Sequence, residues 1–104
     1  MLIPEHKYLI ERVDPPQYTQ DNQFRFKTIV LKKPGFTDEF GDKIGKDDLF
    51  ECKVWNDRIE QLPVLKKGDK VKAMLNLSGR EVLDRNTSEI YYTMNLNIKQ
   101  IDLL

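Results

Sequence analysis

An all-β, five-stranded barrel with a short helix between its third and fourth strands is the fold class that the 104-residue sequence predicts. Three observations lead there. Five stretches rich in β-branched and aromatic residues alternate apolar with polar positions; proline and glycine clusters separate them; one helix-capable segment falls between the third and the fourth. The length fits one domain, residues 1–104, because two halves would each be too small to bury a core.

The first strand covers residues 5–14 and stops at Pro15-Pro16. Proline lacks the ladder donor and fixes φ, so a loop follows to about Asn22. Phe24 to Lys33 is a second strand, dense in aromatic and β-branched side chains, ended by Pro34-Gly35. The next stretch, to about residue 48, holds Gly35, Gly41 and Gly45 among many charges. It reads as a long exposed loop, of the kind that is functional or mobile.

Leu49 to Trp55 is the third strand, with Phe50, Cys52 and Val54 on one face and Glu51, Lys53 and Trp55 on the other. Asn56 or Asp57 is placed to cap a short helix, Arg58 to Leu62, limited by Pro63. Lys67-Gly68-Asp69 turns into a fourth strand, where Val71, Ala73, Leu75, Leu77 and Gly79 alternate with polar neighbours. Ile90 to Ile98 is the fifth, with Tyr91, Thr93, Asn95 and Asn97 opposite Tyr92, Met94 and Leu96. Strand, strand, strand, helix, strand, strand is the order of the oligonucleotide/oligosaccharide-binding (OB) barrel, whose closure hides most sheet edges.

Composition narrows the function. No apolar run approaches the ~20 residues of a membrane span, and the N-terminus shows no signal-peptide core. The lone Cys52 makes no intrachain disulfide, so a reducing cytoplasm is the expected setting. Catalysis has little to draw on. His6 lies near a terminus, Cys52 is expected in the core, and no nucleophile elbow, phosphate loop or Cys/His metal spacing occurs. We therefore expect no enzyme and no cofactor. The acids Asp38, Glu39, Asp42, Asp47 and Asp48 lack calcium-loop spacing. They read as solvated, or as a flap that suppresses non-specific binding.

Net charge is zero, 17 basic against 17 acidic residues, which weakens any phosphate-driven affinity. Distribution matters more than the total. Arg25, Lys27, Lys32, Lys33 and Lys53 fall within strands, whereas acids crowd the stretch after Thr37.

Three segments carry a family likeness: Phe50-Glu51-Cys52-Lys53-Val54-Trp55-Asn56-Asp57-Arg58-Ile59, Leu65-Lys66-Lys67-Gly68-Asp69-Lys70-Val71, and Leu77-Ser78-Gly79-Arg80-Glu81. Together they resemble the short OB-fold proteins of Bacteroidetes and their phages, which are similar to bacterial single-stranded-DNA-binding protein. The likeness runs from about Phe24 to the end. It implies an OB barrel, a polar bend at Gly79-Arg80-Glu81, and binding of single-stranded DNA. The acidic loop and the lack of a glycine-rich tail with an acidic tip depart from that pattern.

A groove for single strands needs exposed rings for bases and cations for phosphates. Trp55 is the leading candidate, with Lys53 on the same face; the resemblance puts it where bacterial single-strand binders carry a base-stacking aromatic. Its other reading is a lid under the following helix. For Phe24, Arg25, Phe26 and Lys27 two arrangements are open. Strict alternation points the rings outward as a stacking platform; a bulge would turn them inward and the two cations outward, as a phosphate track. Tyr91 is expected to be exposed, either as a further ring for the strand or, as we favour, as an edge tyrosine hydrogen-bonded to its neighbour. Lys53, Arg58 and Arg80 are candidate phosphate contacts or, in the more usual reading, solvated charges. Phe36 and Phe40 either fold over the groove or, as we favour, pin the loop to the barrel; Tyr18 is a similar case.

The expected activity is sequence-tolerant binding of single-stranded DNA, with RNA open, in support of replication or recombination, by a homo-oligomer without membrane attachment. The alternative is a protein-interaction OB module or adaptor subunit that binds no nucleic acid.

Overall fold

The computed structural model describes all 104 residues. Five long strands, β1 (Leu2–Val13), β3 (Arg25–Lys33), β6 (Asp48–Trp55), β7 (Lys70–Leu83) and β8 (Ile90–Leu103), carry the fold. Three two-residue strands accompany them: β2 (Gln17–Tyr18), β4 (Phe36–Thr37) and β5 (Lys43–Ile44). Consecutive ladders run β1–β7–β8–β6–β3, and β3 pairs back onto β1.

The strand that makes this possible is β1. Its first part pairs with β7, from Leu2↔Asn76 to Leu9↔Lys70, and its last part with β3, from Leu9↔Lys32 to Val13↔Ile29. Leu9 belongs to both ladders. Register shifts at Ile3/His6 and Ile10/Arg12 bend the strand, since an extra residue adds local twist and curvature. The β6–β8 ladder is parallel and short, Cys52↔Leu96 and Lys53↔Asn97.

Alternation decides what fills the interior. Ile29, Leu31, Cys52, Val54, Val71, Ala73, Leu75 and Ile98 are buried, joined by Tyr8 and Ile10 from β1. Each fully buried aliphatic contributes roughly 1.5–3 kcal/mol relative to exposure. Burial also governs Cys52, whose thiol is pushed up to about 12 by desolvation first and the Glu51 charge second.

Three expectations need correction. The segment after β6 is a single 3-10 turn, Asn56–Ile59, with no side-chain cap. Asn56 adopts a left-handed φ of 51°. Its side-chain oxygen accepts from the Arg25 backbone N–H, so it fixes the start of β3 in place of a helix terminus.

The stretch after Pro34 is exposed, yet it folds into a β4–β5 ribbon, Phe36↔Ile44 and Thr37↔Lys43. Asp38 closes its tip by accepting from the backbone N–H groups of Phe40 and Asp42. Asp47 locks its base: it accepts from Gly35 N–H at 3.0 Å and pairs with Lys43 at 2.6 Å and Lys32 at 3.6 Å. Only glycine fits at position 35, because a Cβ there would lie 2.8 Å from the Gly45 carbonyl oxygen.

The polar bend at Gly79-Arg80-Glu81 does not form. β7 continues through it to Leu83 and stays paired with β8 as far as Leu83↔Ile90. Beyond Asn76 on β7 and Leu96 on β8 there is no further strand pairing except between these two. They form a free arm, which stretches the molecule to 54 Å along its longest axis. The radius of gyration, 16.3 Å, exceeds the ~13 Å of a compact chain of this length.

Candidate nucleic-acid interface

Four strands, β3, β6, β8 and β7, lie side by side, and their outward positions form one surface. Register fixes its rows. Phe26 stands opposite Trp55, and Thr28 opposite Lys53; Lys53 neighbours Asn97, and Asn97 pairs with Asn76. Ser78 pairs with Asn95, Arg80 with Thr93, and Val82 with Tyr91 further along the arm.

Strict alternation holds on β3. Its ladder with β6 runs unbroken from Phe26↔Trp55 to Lys33↔Asp48, so no bulge turns Phe26 inward, while Phe24 lies before the strand. Phe26 and Trp55 pack with ring centroids 5.4 Å apart and planes inclined at 46°. Lys53 Nζ lies 4.8 Å from the Phe26 centroid and 5.8 Å from that of Trp55. A cation so placed gains ~0.5–2 kcal/mol from the ring quadrupoles and keeps its charge at the groove. Trp55 is half-buried and donates its indole N–H to Asn97 Oδ1 at 2.8 Å, across the parallel ladder. The ring is held by its edge. It does not serve as a lid beneath the 3-10 turn.

The remaining candidates scatter. Phe24, 48% exposed, precedes β3 and is tied to Thr19 through its backbone. Arg25 makes an ion pair with Glu60. Lys27 shares the face of Val54 and lines a cavity at the barrel end with Val13, Ile59 and Leu62. Arg58 is exposed and lines a groove with Asn76, Asn97 and Lys99. Tyr91 sits on the arm, 49% exposed, on the same side as Thr93 and Asn95. Phe36 and Phe40 do not pin the ribbon to the barrel: they are 82% and 81% exposed. Tyr18 is likewise exposed, on β2.

Sequence reasoning missed Thr28, Asn76, Asn95, Asn97 and Lys99. The polar alternation along the last strand was visible, but its neighbour was not. Only the parallel ladder, which joins residues far apart in the chain, brings Asn97 against Trp55.

Charge is sorted over this surface. Lys53, Lys99, Arg58 and Arg80 lie on it or along its rim, and its carboxylates are Glu51, opposite Val30, and Asp102, paired with Lys72 at the far end of β8. Asp38, Glu39 and Asp42 sit on the ribbon. No group of three His, Cys, Asp or Glu side chains is placed to hold a metal ion. No helix is long and apolar enough to cross a membrane.

The all-β sheet, in which β3 pairs back onto β1, has the fold of solved OB-type structures. The wild-type single-stranded DNA-binding protein of Thermus aquaticus superposes with a TM-score of 0.61 at 19% identity, covering 99% of this chain and 50% of that one. The Plasmodium falciparum single-stranded DNA-binding protein, solved with single-stranded DNA, gives 0.60 at 17% identity, with 99% and 91% covered. The mitochondrial single-stranded DNA-binding protein of S. cerevisiae gives 0.57 at 17% identity, with 97% and 94% covered. The chain thus spans half the length of the Thermus protein.

The chain belongs to the family described as "Domain of unknown function (DUF3127)", whose model matches residues 5–101. Comparison with curated proteins gives no match.

Proposed function

We propose that this protein binds single-stranded DNA without strong sequence preference, laying the strand across the outer face of β3, β6, β8 and β7. The observation that carries the reading is the Phe26–Trp55–Lys53 cluster with its indole tethered to Asn97. Rings offer π-faces that every base shares, and each stacked base is worth ~1–3 kcal/mol. Lys53, Lys99, Arg58 and Arg80 supply the phosphate contacts, with Phe24 and Tyr91 as outlying rings. Arg25 and Lys27 are second in line, because one is engaged with Glu60 and the other lies at the barrel end. The likeness to proteins named for single-stranded DNA binding supports the same reading.

On this reading the protein is a cytoplasmic binding factor of Bacteroidetes or their phages, not an enzyme. It self-associates and serves replication or recombination, with single-stranded RNA open as a second ligand. Titration with oligo(dT) at low salt is the test, because the chain's single tryptophan is in the site. Quenching that fades steeply with salt, with little response to duplex DNA, is the expected result; unchanged fluorescence at low salt overturns the proposal.

A second reading, an adaptor subunit that binds protein, draws on the zero net charge and on the exposed Phe36 and Phe40 of the acidic ribbon. It predicts a stable protein complex that oligonucleotides do not disturb.

A further inference from the structure

The β7–β8 arm has two unlike faces. One extends the outer surface through Asn95, Thr93 and Tyr91. The other extends the line of the core beyond the barrel: past Leu77↔Leu96 come Gly79↔Met94, Glu81↔Tyr92 and Leu83↔Ile90. Nothing in the chain covers this second face. Tyr92 and Met94 are each 77% exposed, Leu83 60% and Ile90 55%. A two-stranded ribbon is marginal in water without a further layer on its apolar side.

Gly79 is an independent observation. Glycine inside a strand weakens it, and is usually explained by positive φ or by a crowded neighbour. Neither applies here. Its φ is not positive, and a Cβ there would meet nothing closer than the Thr93 carbonyl oxygen at 3.5 Å. Within one chain the position has room for a Cβ. A bare backbone in the middle of an exposed apolar stripe fits a surface that is approached closely from outside.

We propose that this stripe is the contact between two copies of the chain, packed arm on arm. The same patch holds knobs, Tyr92 and Met94, and a hole, Gly79. A two-fold axis through the stripe seats a knob of each copy over the hole of the other, which is the self-complementarity that an isologous contact requires. The stripe carries one charge, Glu81, two residues from Gly79; the two-fold places the two carboxylates on opposite sides of the axis.

The area is sufficient. Four large side chains, each more than half exposed, offer roughly 500 Å² per copy, or about 1,000 Å² for the pair, the threshold for a specific interface. Packed this way, the Tyr91, Thr93 and Asn95 faces point away from the contact on opposite sides of the dimer. Two strand-binding faces then act as linked sites, a consequence that rests on the proposed function. The dimer itself does not.

Sedimentation velocity on the full chain without DNA tests it. The expected species has twice the 12.3 kDa chain mass, and Met94→Lys halves it. Gly79→Val provides the control against misfolding. A Cβ has room there in the monomer and valine favours strand, so the far-UV circular dichroism of the folded chain is retained while the mass falls to 12.3 kDa. A wild-type chain that stays at 12.3 kDa up to high concentration overturns the proposal, as does Gly79→Val that stays folded at twice that mass. Absence of oligo(dT) quenching in wild type and variants alike overturns the DNA reading and leaves the dimer standing.

Discussion

Trp55 and Asn97 are 42 residues apart in sequence and 2.8 Å apart in space, joined by an indole N–H donated to an amide oxygen. The bond sets the angle at which the ring meets the groove, and it fixes which end of the Asn97 amide faces outward. Trp55→Ala is expected to weaken oligo(dT) binding by ~1–3 kcal/mol. Asn97→Leu should cost a smaller part of that, with a changed emission spectrum, because the ring remains but its edge is released. Equal affinity for wild type and Trp55→Ala in a filter-binding titration would show that the ring takes no part.

Lys53 is predicted to act on phosphate. Lys53→Ala should weaken all single-stranded sequences alike and make the slope of log K against log salt shallower by ~0.7. An unchanged slope would mean that the ammonium serves only the two rings beneath it.

Asp47 gives a pH-dependent prediction. The ion pair with Lys43 first, and the Gly35 N–H second, hold its carboxyl at about 2, below the usual 3.8. A folded-state value below the unfolded one means the lock is intact above the unfolded pKa and is lost as pH falls through the folded one. Amide signals of Gly35 and Lys43 should therefore hold steady down to about pH 4 and titrate with a midpoint near 2. A midpoint near 4 would show that Asp47 is unpaired in solution. Asp47→Asn should loosen the ribbon at neutral pH and leave the barrel's Tm nearly unchanged.

Cys52 titrates the other way. Its thiol is raised to about 12, so the folded state holds the proton more tightly than the unfolded chain does. Its contribution to stability is complete below the unfolded thiol pKa of ~8.5 and is lost as pH rises through about 12. At pH 8 the native protein should resist an aromatic disulfide reagent, and one thiol should react once denaturant is added. Rapid reaction in native buffer would place Cys52 outside the core.

Much of the barrel was legible because β-strand alternation is local. Ile29, Leu31, Cys52, Val54, Val71 and Ala73 announce their burial by position and type, and Trp55 and Lys53 follow as the opposite face. The extent of β7 and β8 was not, because glycine followed by charge normally breaks a strand, whereas here Gly79 takes ordinary strand geometry. The helix was overestimated because Asn56 was credited with a capping role that its contact with Arg25 takes away. The amide row stayed hidden for a different reason: Asn97 looks like any polar alternation partner until β6 lies alongside it.

Leu9, which stands in two ladders at once, sets the order in which the molecule can be made. The N-terminal part of β1 must wait for residues 70–76 before it has a partner, and the β6–β8 seam waits for residues 96 and 97. Folding of the sheet is thus expected to wait until residues 96 and 97 are available. With so many pairings between distant residues, it should take milliseconds to seconds, as in other all-β domains.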